Sequence, residues 1–289
     1  MRLVFLSPSQ RALAAALFTV VAWASAFVGI RAAGDDFSPG PLTLVRLAVG
    51  SLVLGAVLLL RRDRPPSGRD LGLVVICGVL WFGVYNIALN AAERRVDAGT
   101  AAMLVNVGPI ILALLAGFLL HEGLPRSLLA GCALGFAGVS IIAVATTDGL
   151  SVSGGALLCL LAATAYAGGV VAQKPALARN SGLGVTWTAC SVGLVGCLVF
   201  APSLVDEVRD ARASSIAWAV YLGVVPTALA FTAWAYALAR TTAGRMGATT
   251  YLVVPIAVLL AWALLGETPE ALAFVGGAVA LTGVVVARR

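Results

Sequence analysis

Ten apolar stretches, each of about twenty residues, follow one another along this 289-residue chain, and nearly every charge lies between them. They cover 11–31, 41–60, 71–92, 98–120, 126–146, 153–173, 183–201, 215–239, 246–265 and 271–287. A helix needs roughly 20 apolar residues to cross a bilayer. Inside lipid every backbone N–H and C=O must be satisfied within the segment, which selects helices over irregular chain. The breaks carry helix-stopping residues, as in Asp35-Asp36-Phe37-Ser38-Pro39-Gly40, Arg61-Arg62-Asp63-Arg64-Pro65-Pro66 and Gly266-Glu267-Thr268-Pro269. The composition agrees: 61% of residues are hydrophobic and 11% charged. A soluble domain carries ~25% charged residues and must turn much of its surface to water. A soluble enzyme, a secreted scaffold and a disordered chain are therefore excluded. The predicted fold is an all-α polytopic membrane protein with ten transmembrane helices.

The 19 basic residues are 18 Arg and one Lys, in short clusters between the apolar runs. With the N-terminus in the cytoplasm, thirteen of them fall on the cytoplasmic side: Arg2, Arg11, Arg61, Arg62, Arg64, Arg69, Arg126, Lys174, Arg179, Arg240, Arg245, Arg288 and Arg289. Five fall opposite: Arg31, Arg94, Arg95, Arg209 and Arg212. That bias predicts a multi-pass protein of a bacterial inner membrane with both termini cytoplasmic. The competing reading of the start is a secretory leader cleaved after Ala24-Ser25-Ala26, but the run continues apolar past that point. The net charge of +6 carries no nucleic-acid motif with it, so no nucleic-acid partner is expected.

The two halves of the sequence are related. Shifted by 145 residues, 98–139 matches 243–284 at thirteen of 42 positions without a gap. Gly99 meets Gly244, Glu122 meets Glu267, Gly131 meets Gly276, and Gly138-Val139 meets Gly283-Val284; Pro109 and Pro255 fall one residue out of step. Ten spans then divide into two sets of five, residues 1–148 and 149–289. An odd number per set forces opposite orientations, the architecture of secondary transporters with a midplane site between the halves.

These repeated blocks, together with Trp23-Ala24-Ser25-Ala26-Phe27, Pro41 and Arg46, resemble the EamA family of the drug/metabolite transporter superfamily. The resemblance spans nearly the whole chain. It implies a ten-helix bundle that moves small organic metabolites, usually outward. Within the family the chain looks most like bacterial inner-membrane exporters of aromatic and other amino acids.

Polar and aromatic residues deep in a span are costly there unless they face protein or water. The expected substrate cavity is built from Trp23, Ser25, Arg46, Trp81, Tyr85, Asn86, Asn90, Asn106, Tyr166, Thr227, Phe231, Trp234 and Tyr251. An aromatic wall with a few amides and hydroxyls suits an amphipathic solute with an apolar side chain. The bland alternative for each is interhelical packing. Arg46, the one full charge inside a span, either snorkels to the interface or faces the cavity and attracts a carboxylate. Pro109, Pro226 and Pro255 are the expected hinges or gates, because a proline frees a carbonyl one turn earlier. Glu122 and Glu267 are expected to cap the helices that follow them. The glycine stripes of spans 5 and 10 are expected to be packing supports, with dimerisation as the alternative, so the chain is a monomer or a homodimer.

All thirteen Asp and Glu lie in loops or at span ends. The single His121 and five scattered cysteines build no metal site, and no cofactor is expected. No phosphate-binding loop or hydrolytic triad is present, so the chain is not expected to be an enzyme. The function predicted is secondary export of small metabolites, with amino acids foremost, by facilitated diffusion. The alternative is a proton-coupled multidrug exporter; a membrane-embedded enzyme or a channel ranks lower.

Overall fold

The computed structural model describes residues 7–92, 94–95, 104–146, 154–265 and 271–289. Gly99, Glu267 and the 147–152 connection lie outside the described residues. Among those described, the chain is helical throughout, with no strand. Its helices are α1 (Pro8–Ala33), α2 (Pro39–Arg61), α3 (Arg69–Ala92), α4 (Gly108–Leu119), α5 (Arg126–Thr146), α6 (Gly154–Leu177), α7 (Gly182–Asp210), α8 (Ala213–Leu238), α9 (243–265) and α10 (Ala271–Ala287). Seven contain segments long and apolar enough to cross a membrane; α4, α5 and α10 are shorter apolar helices.

Local sequence sets the ends. Ser7 and Gln10 form a capping box ahead of Pro8, with Gln10 donating its N–H to Ser7 Oγ at 3.3 Å and Ser7 N–H donating to Gln10 Oε1 at 2.8 Å. Ser181 and Thr242 cap α7 and α9 by accepting from the backbone N–H of Gly184 and Arg245. Many large apolar side chains point outward, among them Leu59, Leu60, Leu157 and Val199, each more than two-thirds exposed. That surface fits a lipid-facing exterior rather than a wetted one.

Interactions between connections sort the helix ends into two groups. Arg94 donates to the carbonyls of Gly34 and Phe37, Ser38 binds Glu207, and Arg212 binds Asp35 and Asp36. These make one end of the molecule. Asp70 binds Arg179 and Asn180, Lys174 donates to the carbonyls of Leu238 and Thr241, and Glu122 accepts from Ala243. These make the other end. Helix α3 runs from the Asp70 end to the Arg94 end, whereas α8 runs from the Arg212 end to the Lys174 end.

The 145-residue shift reappears in irregular backbone. Helix α3 is wound as a π-helix over Gly78–Val84, and α8 over Gly223–Leu229, the same seven positions in the two halves. Helix α9 tightens to a 3-10 turn at Thr250–Leu252, and the chain turns before α4 at 106–107, within the matching stretch. Pro109 and Pro255 follow these two interruptions.

The seam between α5 and α10 obeys the same shift. Their backbones touch through small residues, Gly131 against Ala287, Gly135 against Gly283, Gly138 against Ala280 and Gly276 against Ile142. A Cβ on Gly276 would sit 2.6 Å from the Gly138 carbonyl oxygen. The pairing is antiparallel and is its own image: moving both members by 145 residues turns Gly131–Ala287 into Gly276–Ile142, and Gly138–Ala280 into Gly283–Gly135. A two-fold axis crossing the seam produces that register. The glycine stripes are thus consumed within the chain, as packing supports.

Candidate functional site: an aromatic cavity between the halves

Helices α1, α3, α6 and α8 carry a cluster of rings in mutual contact. Trp23 packs on Trp81, Phe231 and Trp234 with centroids 5.9, 5.2 and 5.0 Å apart. Trp81 also meets Tyr166 at 5.4 Å and Phe231 at 4.8 Å, and Phe231 meets Phe82 at 4.4 Å. Edge-to-face and tilted pairs of this kind are favourable beyond the area they bury. Above the cluster lies a cavity. Its wall includes Trp23, Phe27, Ile30, Arg46, Trp81, Tyr85, Leu89, Asn106, Pro109, Tyr166, Phe231, Thr250 and Val253. Both halves contribute. Trp81, Tyr166 and Phe231 make the floor, and Ile30 and Leu89 carry the wall toward the end marked by Arg94.

Of the residues singled out from sequence, Trp23, Arg46, Trp81, Tyr85, Asn106, Tyr166 and Phe231 line this cavity, as does Pro109. The others lie outside its wall, for physical reasons. Ser25 faces α8, where its hydroxyl meets the Tyr221 hydroxyl at 2.6 Å. Asn86 turns back on its own helix and donates to the carbonyls of Trp81 and Phe82 at 3.1 and 3.0 Å. Asn90 donates to Thr43 Oγ1 across the α2–α3 contact at 3.0 Å. Trp234 is fully buried beneath the floor. Tyr251 is fully buried against Gly135, in the α5–α9 contact. Pro255 leans on Gly277 of α10.

Pro226 and Thr227 work through backbone. Pro226 has no N–H to give to the π ladder. The Thr227 hydroxyl donates to the Leu222 carbonyl, five residues back, at 2.9 Å. The Pro226 carbonyl, in the same π stretch, accepts from Trp23 Nε1 at 3.1 Å. In the other half the position matching Pro226 is Trp81, whose carbonyl is taken by Asn86. The position matching Trp23 is Gly168, which has no side chain to offer, and a Cβ on neighbouring Gly169 would sit 2.7 Å from Trp81 Cβ. The π-helices therefore expose the same carbonyl twice and satisfy it by two different donors.

Arg46 does not snorkel. It is 7% exposed, lines the cavity, and donates from Nε to Thr227 Oγ1 at 2.7 Å. Sequence reasoning missed Ala26, Phe27, Ile30, Leu89, Val105, Thr250 and Val253 as wall residues. Six of the seven are plain apolar residues, so nothing in their chemistry marked them.

A family model described as the EamA-like transporter family matches twice, over residues 10–144 and 153–289. The chain belongs to that family. It is a transporter, a multi-pass membrane protein and not an enzyme. Among its relatives is a protein of Streptantibioticus cattleyicolor named as a probable terminal-alkyne amino-acid exporter, 37% identical over 97% of this chain and 94% of that one. An uncharacterized transporter of Bacillus subtilis is 34% identical over 91% of this chain and 86% of its own. A Salmonella typhimurium protein named as a probable amino-acid metabolite efflux pump is 26% identical over 94% and 92%. A solved crystal structure superposes with a TM-score of 0.78 at 20% identity, covering 96% of both chains, and so shares the fold.

Proposed function

We propose that this protein exports small apolar amino acids by alternating access around the aromatic cavity. The observation that carries this reading is the wall itself: an apolar aromatic floor, neutral polar groups at Tyr85, Asn106 and Thr250, and one cation at Arg46, contributed by both halves. Such a site accepts an apolar side chain and a charged head together. The names of two relatives as amino-acid exporter and efflux pump support the substrate class.

The architecture proposed is ten membrane crossings in two inverted five-helix repeats, 1–148 and 149–289. The opposite directions of α3 and α8, the paired π stretches and the self-inverse α5–α10 seam support it. The end holding Asp70, Lys174 and Glu122 is cytoplasmic, since thirteen basic residues gather there by the charge count. Both termini then lie in the cytoplasm of a bacterial cell bounded by its inner membrane. Reporter fusions after Arg289 and in the 147–152 connection should read cytoplasm and periplasm; one compartment for both would end the inverted reading.

Transport is facilitated diffusion. No Asp, Glu or His lines the cavity among the described residues, and arginine stays protonated at physiological pH. In proteoliposomes a zwitterionic substrate should equilibrate without an imposed pH gradient. Accumulation driven by a pH gradient and abolished by a protonophore would replace this reading with proton coupling.

A further inference from the structure

We propose that Trp234 binds substrate in the opposite state: when the cavity opens toward the Lys174 end, its indole takes the wall position that Leu89 holds here, and its N–H donates to the solute. The inference rests on the exporter reading and deepens it. Its first support is the two-fold relation. In inverted repeats one midplane site serves both sides, and the second state exchanges the roles of the halves. The wall of that state is then the present wall moved by 145 residues, the shift obeyed by the π stretches and the α5–α10 seam. Applied to the wall, the shift carries Leu89 to Trp234, Tyr85 to Ala230 and Phe27 to Ala172. It also carries Val105 to Thr250, and both of these line the present cavity. A residue and its own counterpart in one wall mark the part of the site that both states share.

The second support does not depend on symmetry. Trp234 is fully buried, and its Nε1 has no hydrogen-bond partner among the described residues. A buried indole N–H ordinarily finds an acceptor. The neighbouring indole does so, with Trp23 Nε1 donating to the Pro226 carbonyl at 3.1 Å. An unpartnered N–H is a cost in the state that buries it. It becomes a binding group in the state where an acceptor on the solute reaches it.

The third is position. The Trp234 ring packs with centroids 5.0 Å from Trp23 and 5.4 Å from Trp81, two rings that line the cavity. One layer of rings therefore separates the indole from the present cavity, and parting that layer from the Lys174 side uncovers it. The other residues that α6 and α8 bring to the exchanged wall are small or aliphatic, among them Gly168, Ala172 and Ala230. Trp234 is the one ring those two helices supply there. A solute entering from that side meets an N–H donor on an apolar surface. The acceptor it must carry is an oxygen of the amino-acid head, with the side chain left to the surrounding apolar wall.

The test has two arms. In the first, single cysteines are labelled with a membrane-impermeant maleimide in intact cells and in inverted vesicles, with the wild-type chain, whose five cysteines are buried, as the blank. Leu89→Cys should label from one face, and Ala230→Cys and Ala172→Cys from the other. Saturating phenylalanine should slow all three. Ala230→Cys and Ala172→Cys reached from neither face, or from the Leu89 face, in protein that transports would overturn the exchanged wall. In the second arm, Trp234→Phe removes the N–H and keeps a ring. The KM for phenylalanine supplied at the Ala230 face should rise about fivefold, the scale of one neutral hydrogen bond. The KM at the Leu89 face should change less, a difference that a merely structural role would not produce. No rise, or an equal rise at both faces, would overturn the donor. If Trp234→Phe does not insert, the labelling of the two alanine positions decides. Labelling from opposite faces that phenylalanine never slows, in protein that does not move phenylalanine, would support the exchanged wall and refute the apolar amino-acid reading alone.

Discussion

Both carboxylate oxygens of Glu122, in the connection between α4 and α5, accept from the backbone N–H of Ala243 at 3.0 and 2.7 Å, joining the first half of the chain to the start of α9 in the second. Gly244 N–H approaches the same carboxylate at 3.4 Å. Sequence reasoning gave Glu122 the helix that follows it; the structure gives it a helix in the other half. The first N–H groups of a helix have no partner of their own and favour negative charge. Glu122→Ala should therefore cost about 0.5–2 kcal/mol, the range of a lost N-terminal cap. Thermal unfolding in detergent should show it, with Glu122→Gln in between. An unshifted midpoint for both would mean these amides find other partners.

Tyr85 and Asn86 are neighbours with opposite duties, and their alanine variants should separate. Tyr85 stands in the cavity wall. Losing its ring should raise the substrate KM by several-fold, on the order of the ~1 kcal/mol an aromatic contact supplies, with little change in melting. Asn86→Ala strips the Trp81 and Phe82 carbonyls of a buried donor. It should cost about 1–3 kcal/mol of stability and leave KM unchanged in the folded fraction. A KM effect of equal size from both would put Asn86 back in the wall.

Gln173 of α6 is fully buried, and neither atom of its amide has a hydrogen-bond partner among the described residues. A buried amide without partners is a standing penalty. Gln173→Met keeps the bulk and removes both polar atoms. It should raise the stability of the fold by about 1–3 kcal/mol. Turnover should fall with it, because alternating access brings water to the Lys174 end of α6, where position 173 would no longer offer an amide to solvate. A variant that melts earlier and turns over normally would contradict both expectations.

Asp36 and Arg212 tie the α1–α2 and α7–α8 connections together, through the Arg212 backbone N–H at 3.1 Å and Nε at 2.9 Å. Hydrogen bonds from the Arg212 side chain and backbone hold the Asp36 carboxyl down to about 2 from an ordinary 3.8. A folded-state pKa below the unfolded one stabilises above the unfolded value and loses that contribution as pH falls through the folded value. The tie is complete at neutral pH and fades between pH 3.8 and about 2. Asp36→Asn should lower the melting midpoint by a constant amount from pH 8 to pH 5, and the gap should close below pH 3.8. Salt should shrink it, since Arg212 is more than half exposed. A gap growing on acidification would reverse the sign and exclude this pair as its cause.

The fold was legible because lipid imposes a simple rule on composition: apolar runs, basic flanks and a repeated block survive in one dimension. The site was half legible. Trp23, Trp81, Tyr166 and Phe231 announced themselves as aromatic residues deep in spans. Asn86, Asn90 and Ser25 are polar residues deep in spans as well, and their side chains bond within the protein. A buried polar side chain must find a partner, and sequence does not say whether that partner is a substrate, a neighbouring helix or its own backbone. The π stretches decided the matter for Asn86 and Thr227. Pro226 marks the one in α8, but nothing comparable marks Gly78–Val84 in α3. Glu122 was misread for a related reason, because a cap supplied from the other half of the chain has no local spacing to betray it.

The α5–α10 seam has a consequence for biosynthesis. Four helices separate its two strips of small residues, so α5 is made and inserted well before α10 exists. At ordinary translation rates that interval is on the order of ten seconds. Throughout it Gly131, Gly135 and Gly138 must rest against lipid or a transient companion. This close backbone contact is therefore a late one, and the nascent first half waits in the membrane with an unfilled groove.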